Sequence, residues 1–502
     1  MVIFNYIGDL RKQLALYLEN KLGAPSEQII LITTMASSIP FSLLNYFINN
    51  RKARLLYSLI IGFILHYSIY GINSLHTIFG TIASYIYTYY FGRKLSPFYL
   101  LIATMAHLSF LNIKRMIVDF GGWAIDDIST IYMVEVAKYS SFCFSYSDGK
   151  LDPKDIISQH QRKKRIEKMP SLLEYASYIY FYPTTIIGPF VEYMDFINFI
   201  NKKDVYENLT NKLGYIFKQG LYKLFIAILF IVIFALYGDV YPMSFVGSPE
   251  LRKKYPEWWM RFLFLYLCGP IGRSKYYIAW GLTYSSLIFS GMSYGESYKE
   301  IEIIKNGEKI KEKKLVQDVD KGSYGSIIYN EFGMNPVLKM TYWNMSIHIW
   351  LKYNVFTRVL SSKKFKNNKV MASFITFIFS AVWHGFYPSY FISFFIFYLF
   401  QEGGAFLNEL GFYKYVGAHS IFMPLVILKT IFFYDIIGSI FYCLEIGSTK
   451  EILINYYGLP ANAIIGFYLF SIFYRLTFKK KEKKKNIKEE KLNTKENNKK
   501  IE

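Results

Sequence analysis

His384 lies inside the apolar run FIFSAVWHGFYPSY, between Trp383 and Gly385. An ionisable side chain at membrane depth is costly and faces a bundle interior or a watery cavity, which marks it as a functional candidate. Imidazole titrates near neutrality, so it can take a proton from a hydroxyl as a general base. The alternative is a packing His bonded to a backbone carbonyl. Upstream, Asn344 sits in a second apolar stretch, YWNMSIHIWLKYNVFTRV. Its amide can donate to a developing oxyanion or simply glue two helices together. His348, four residues on, shares a helical face with Asn344 and reads as a polar wall of the same cavity or as a second catalytic group. Glu174 and Glu192 flank the apolar run 172–190, either as buried charges or at headgroup level.

The elements that must position these groups are membrane helices. The chain has 502 residues, 53% of them hydrophobic, and a mean hydropathy of +0.19. Apolar runs recur at 28–48, 54–73, 76–92, 97–113, 128–145, 172–190, 213–238, 258–292, 370–402, 420–444 and 461–477. The runs 258–292 and 370–402 can each be two pieces. This predicts an all-α, polytopic bundle of about 10–12 spanning or re-entrant helices. A barrel's alternation is absent. The N-terminus shows no cleavable signal peptide, so the first span is expected to act as the signal anchor. One integral domain is expected over 1–478, with a charged, irregular loop at about 296–335 and a disordered basic tail over 479–502. Trp343, Ile347, Trp350, Leu351 and Val355 recur at helical spacing, predicting one amphipathic or cavity-lining helix. Gly188-Pro189 and Gly269-Pro270 are expected to break helices and frame a cavity.

The formal charge of +21 does not point to nucleic acid. The positive-inside rule places QRKKRIEK and the Lys-rich tail in the cytosol beside anionic headgroups. The terminal KKIE has the dilysine pattern of an endoplasmic reticulum retrieval signal. Cys143, Cys268 and Cys443 are far apart and read as inert thiols, and no motif suggests a metal. Gly291-Met292-Ser293-Tyr294-Gly295 matches a nucleophile elbow, but follows a span instead of a strand.

The two central blocks, WNMSIHIWLKYNVFTRV and FSAVWHGFYPSY, together resemble the paired Asn and His motifs of the membrane-bound O-acyltransferases. MPSLLEYASYIYFYPTTIIGPFVEYMDF (169–196) and IDDISTIYMVEVAKYSSFCFSYSDG (125–149) are similar to the lysophospholipid branch of that family. Tyr146, Ser147 and Ser389 depart from the pattern, which bears on substrate choice rather than reaction class. No His is followed five positions on by Asp, and no Cys is preceded by paired His, which sets aside two other acyltransferase types. The resemblance implies a catalytic tunnel in which acyl-CoA, a co-substrate and not a resident cofactor, acylates the free hydroxyl of a lysophospholipid. It implies His384 as base and Asn344 as oxyanion or thioester contact. Trp343, Trp383, His348 and Glu174 are the expected substrate-binding residues, and Lys352 and Arg358 are expected at the CoA phosphates. The implied location is the endoplasmic reticulum membrane, multi-pass, with the C-terminus cytosolic. Two alternatives stand beside it: a diacylglycerol, sterol or protein acceptor within the same family, and a non-catalytic lipid or proton transporter.

Overall fold

The computed structural model describes residues 9–477 apart from 11–12, 15, 21–24, 122–126, 157, 306–307, 419 and 476. The tail, with its KKIE end, lies outside the described residues. Six helical stretches are long and apolar enough to cross a membrane: Ser26–Phe47, Arg51–Phe91, Phe98–Val118, Leu209–Tyr237, Pro388–Glu409 and Met423–Cys443. Arg51–Phe91 is two helices joined by a short 3₁₀ turn at Gly71–Asn73. Lys369–His384 and Asn462–Tyr474 are shorter apolar helices.

Local chemistry sets several of the boundaries. Asn50 accepts from the Ala53 amide to open the Arg51 helix, and Asn368 accepts from Met371 to open the Lys369 helix, both at 3.0 Å. On the helix Leu213–Tyr237, the side chains Leu221, Phe225, Leu229, Val232 and Leu236 recur at helical spacing and are all exposed. An apolar stripe of that length is stable only against lipid. Hydroxyls inside helices bond back to their own turn, as Thr34 does to the Ile30 carbonyl at 2.7 Å.

Three expected spans differ. The run at 128–145 is a helix, Ser129–Asp148, but it is buried along most of its length with Glu135 and Lys138 inside the protein. The run at 172–190 is helical only over Leu172–Ile179 and then irregular through a cis Gly188-Pro189 bond. Its backbone is satisfied by protein: Lys138 Nζ donates to the Ile179 carbonyl at 2.8 Å and Tyr70 to the Ile186 carbonyl at 2.9 Å. Irregular backbone survives at membrane depth only when wrapped in this way. The run at 258–292 is one helix, Trp258–Phe289, continuous through Pro270.

Gly269 is required in that helix by its neighbour. A Cβ there would lie 2.5 Å from the Asp435 carboxyl carbon. Asp435 belongs to a buried ion cluster centred on Arg273, which bonds Asp435 on one side and both Glu331 oxygens on the other, at 2.9 and 2.5 Å. Lys339 Nζ adds a bond to the Glu331 carbonyl at 3.1 Å. Arg273 thus meets two carboxylates, while Lys339 bonds the main chain beside them.

The expected loop at about 296–335 is largely ordered structure. Gly295–Lys305 and Glu308–Asp318 pair antiparallel, with Glu300 opposite Lys313 and Glu302 opposite Lys311. Two short helices follow it, Ile327–Phe332 and Pro336–Tyr342.

The buried side chains form two large cores. One includes Ile278, Leu282, Trp350 and Trp383, and the other Phe264, Leu265, Phe377 and Ala381. The helices Trp258–Phe289 and Lys369–His384 therefore each contribute to both cores, and His384 lies at their seam. Arg273→Met should strand two buried carboxylates and cost about 3–5 kcal/mol. A thermal unfolding midpoint in detergent that matched the parental protein would contradict this role.

Candidate active site

His384 is the last residue of its helix. Gly385 ends the helix at φ +132°, and its amide still bonds the Ala381 carbonyl at 3.1 Å. The turn is pinned from outside: Trp383 Nε1 donates to the Met133 carbonyl at 3.0 Å, and Asn112 Nδ2 to the Trp383 carbonyl at 3.5 Å. The imidazole sits in an aromatic cup, 4.9 Å from Trp383, 5.1 Å from Phe394, 5.2 Å from Phe441 and 6.0 Å from Tyr390, between ring centroids. The residue is half-buried. Neither ring nitrogen bonds another described residue, so the packing alternative, a His tied to a carbonyl, is not what the geometry shows.

Asn344 is held in an unusual backbone state. It adopts φ 46°, ψ 57°, the left-handed region, just ahead of the helix Met345–Leu351. Such residues cost energy, and where they persist they cluster at functional sites. Flanking contacts enforce the bend: Asn330 Nδ2 donates to the Tyr342 carbonyl and the Met345 amide to the Tyr324 carbonyl, both at 3.1 Å. The Asn344 carbonyl accepts from the His348 amide at 3.0 Å, and its Oδ1 from Ser346 Oγ at 3.3 Å. Its Nδ2 donors make no bond to another described residue.

The expected single helix from Trp343 to Val355 is therefore broken at Asn344, and beyond Leu351 it passes through a π-helical turn, Lys352–Phe356. Such turns are frequent at functional sites. Trp350 links the two halves. Its Nε1 donates to Ser140 at 3.0 Å, and its ring lies 5.7 Å from that of Trp383. Trp343, next to Asn344, packs on Trp280 at 4.9 Å, Tyr276 at 5.5 Å and Tyr434 at 6.3 Å.

Contacts join His384 to Trp383 and Trp383 to Trp350, six residues beyond Asn344, and His348 is half-buried one turn from Asn344. Other expected residues do something else. Glu174 caps its own helix with Ser171 and pairs with Arg51. Burial alone would raise its carboxyl; the Ser171 donors and Arg51 outweigh that and hold it below the ordinary value. Arg358 makes a bidentate pair with Asp148 at 2.8 and 2.5 Å. Lys352 is exposed on the π-helical turn. Glu192 is buried, accepting from Ser141 at 2.6 Å and facing His160 at 3.3 Å. The reading of sequence missed Arg115, Tyr276, Trp280 and Phe441, which arrive from distant segments and carry no motif. Arg115 pairs with Asp127 at 3.3 Å and lies 5.9 Å from the Tyr387 ring.

A sequence model of the membrane-bound O-acyltransferase family matches residues 59–410, which contain both blocks. The chain belongs to that family. Membership, together with the six helical stretches long enough to cross a membrane, makes it a multi-pass membrane protein. The chain is similar to a lysophospholipid acyltransferase of Saccharomyces cerevisiae, 28% identical over 357 residues, covering 66% of this chain and 54% of that protein. It thus spans about half the length of that relative. A lysophospholipid acyltransferase of Schizosaccharomyces pombe is 25% identical over 394 residues, 75% of this chain and 71% of that protein. Membrane-bound glycerophospholipid O-acyltransferase 2 of Gallus gallus is 25% identical over 350 residues, 67% of this chain and 62% of that protein.

The G-x-S-x-G match is no nucleophile elbow. Ser293 follows a helix and precedes a strand, is fully buried, and donates to the Lys321 carbonyl at 2.8 Å. Fluorophosphonate probes should leave it unlabelled, and Ser293→Ala should retain acyl transfer. Labelling at Ser293 would revive a serine hydrolase.

Proposed function

We propose that the protein transfers a fatty acyl chain from acyl-CoA to the free hydroxyl of a lysophospholipid. The observation that carries this is an imidazole whose nitrogens bond no other described residue, at a helix end joined by the Trp383–Trp350 contact to the segment that bears Asn344. The substrate classes in the names of the yeast relatives support the choice of acceptor.

In this reading His384 takes the proton from the acceptor hydroxyl as its oxygen attacks the thioester carbonyl. The new C–O bond forms a tetrahedral intermediate whose oxyanion meets Asn344 Nδ2. The C–S bond then breaks, and the proton held by His384 passes to the departing thiolate, leaving free CoA and the ester. A thioester is already activated, so these two side chains suffice for the bond changes. The closed cavity favours the lipid hydroxyl over water.

The phosphates of CoA call for basic groups next to this segment. Arg162, Lys163 and Arg165 line a surface cavity of about 480 Å³. The neighbouring Gln161 bonds the Tyr353 carbonyl at 3.1 Å, which ties this surface to the π-helical turn and exposed Lys352. Arg358, bound to Asp148, holds that turn's far end instead of offering itself to a phosphate. We place the basic tail on the cytosolic side of the membrane, on the strength of the charge pattern.

His384→Ala should lower turnover about 10²–10⁴-fold in a protein that still inserts and folds. Parental rates from the folded variant would refute the mechanism. Asn344→Gly keeps the left-handed backbone and removes the amide, so it isolates the chemistry. It should cut kcat on the order of 10²-fold. A rise in KM with kcat intact would make Asn344 a ground-state contact instead.

A further inference from the structure

His384 is bracketed by one buried amide. Asn112, on the helix Phe98–Val118, is 2% exposed. Its Nδ2 donates to the carbonyl of Trp383, the residue before the His, at 3.5 Å. A Cβ on Gly385, the residue after it, would lie 3.6 Å from Asn112 Cβ and Cγ. Asn112 thus touches the chain on both sides of the base. A carbonyl only accepts, so the Asn112 nitrogen must face Trp383 and Oδ1 must face away. That oxygen is buried and bonds no other described residue. A buried acceptor without a donor is costly and calls for an explanation.

The base has the matching need. A neutral imidazole carries N–H on one nitrogen and a lone pair on the other, and only the lone pair can take a proton from a hydroxyl. The N–H needs a partner that fixes the tautomer and the direction of the ring. The cup around His384 supplies none. Trp383, Phe394 and Phe441 have no acceptor oxygen in their side chains, and Tyr390 is faced by Arg115. Once protonated, the ring also becomes a cation near a second one. Arg115 lies one turn beyond Asn112 on the same helix, and its charge reaches the ring. Asp127, 3.3 Å from Arg115, offsets part of that charge. A carbonyl oxygen on the ring N–H lowers the cost of forming the new cation.

We propose that Asn112 is the positioning residue of His384: its Oδ1 accepts the ring N–H as the imidazole takes up the hydroxyl proton, while its Nδ2 holds the Trp383 carbonyl. Asn112 itself gains and loses no proton. The hydroxyl proton stays on His384 until it passes to the departing thiolate. This rests on His384 being the base, and adds the group that aims it.

The test is acyl transfer by the full chain from oleoyl-CoA to a mixture of lysophosphatidylcholine, lysophosphatidylethanolamine and lysophosphatidate. Asn112→Leu, close in shape but without polar atoms, should lower kcat about 10- to 100-fold with the KM for oleoyl-CoA unchanged. Asn112→Asp keeps the acceptor and loses the donor, so it should retain most of kcat. Adding Asn112→Leu to His384→Ala should cost no further rate, because the two side chains act as a unit. Equal losses in the Leu and Asp variants overturn the proposal, since they assign Asn112 to the Trp383 carbonyl alone. Parental kcat in Asn112→Leu, a rise in KM alone, or a further loss on the His384→Ala background overturns it as well. Where Asn112→Leu fails to insert, Asn112→Ser, whose hydroxyl ends one bond short of Oδ1, must show the same loss. A parental rate in His384→Ala would remove the base itself, and this role with it. An inactive His384→Ala beside a parental Asn112→Leu would remove this role alone.

Discussion

Every backbone amide and carbonyl at membrane depth needs a partner, and lipid supplies none. Helices meet this demand by themselves, but a catalytic site cannot be all helix. Asn344 needs a left-handed backbone to aim its amide, and His384 needs a helix end to free its ring. Both breaks are tolerated because protein wraps them. Asn330 and Tyr324 secure the bend at Tyr342–Met345, while Asn112 and Met133 secure the turn at Trp383. The same demand explains why the chain leaves helical geometry after Ile179 where Lys138 and Tyr70 bind the carbonyls of Ile179 and Ile186.

Charge obeys the same constraint. Arg273, Glu331 and Asp435 sit inside the bundle as ion partners, and Lys339 bonds the Glu331 carbonyl beside them. Their cluster ties the Trp258–Phe289 helix to the short helices that lead to Trp343, and so to Asn344. The Asn344 bend thus depends on an ion cluster it does not touch. At the seam between the two hydrophobic cores stands His384, whose ring nitrogens bond no other described residue. A closed seam of this kind also suits a reaction in which water is the competing nucleophile.

Much of this was legible in the residues themselves. The apolar runs located most helices to within a few positions, because apolar length is a direct physical requirement of crossing a bilayer. His384 and Asn344 stood out because polar groups in such runs are expensive. Other features were not legible. The run at 172–190 has the composition of a span, yet its prolines and the Lys138 partner make it irregular. The single helix expected through Trp343 to Val355 is broken, since apolar spacing does not reveal a left-handed residue. The charged stretch after Gly295 reads as loop by composition, while its cross-strand register makes a hairpin. Arg358 and Glu174 were expected at the substrate, but pairing with Asp148 and Arg51 is a tertiary fact that no single segment encodes. The aromatic neighbours Tyr276, Trp280 and Phe441 were missed for the same reason.

The account stands or falls on one reaction, balanced atom for atom. Purified protein should be given acyl-labelled oleoyl-CoA and a lysophospholipid, with free thiol and labelled diacyl phospholipid measured together. The account predicts one new ester for each thiol released, and loss of both in His384→Ala. Thiol released as free fatty acid without ester, or ester formed undiminished without His384, would contradict it.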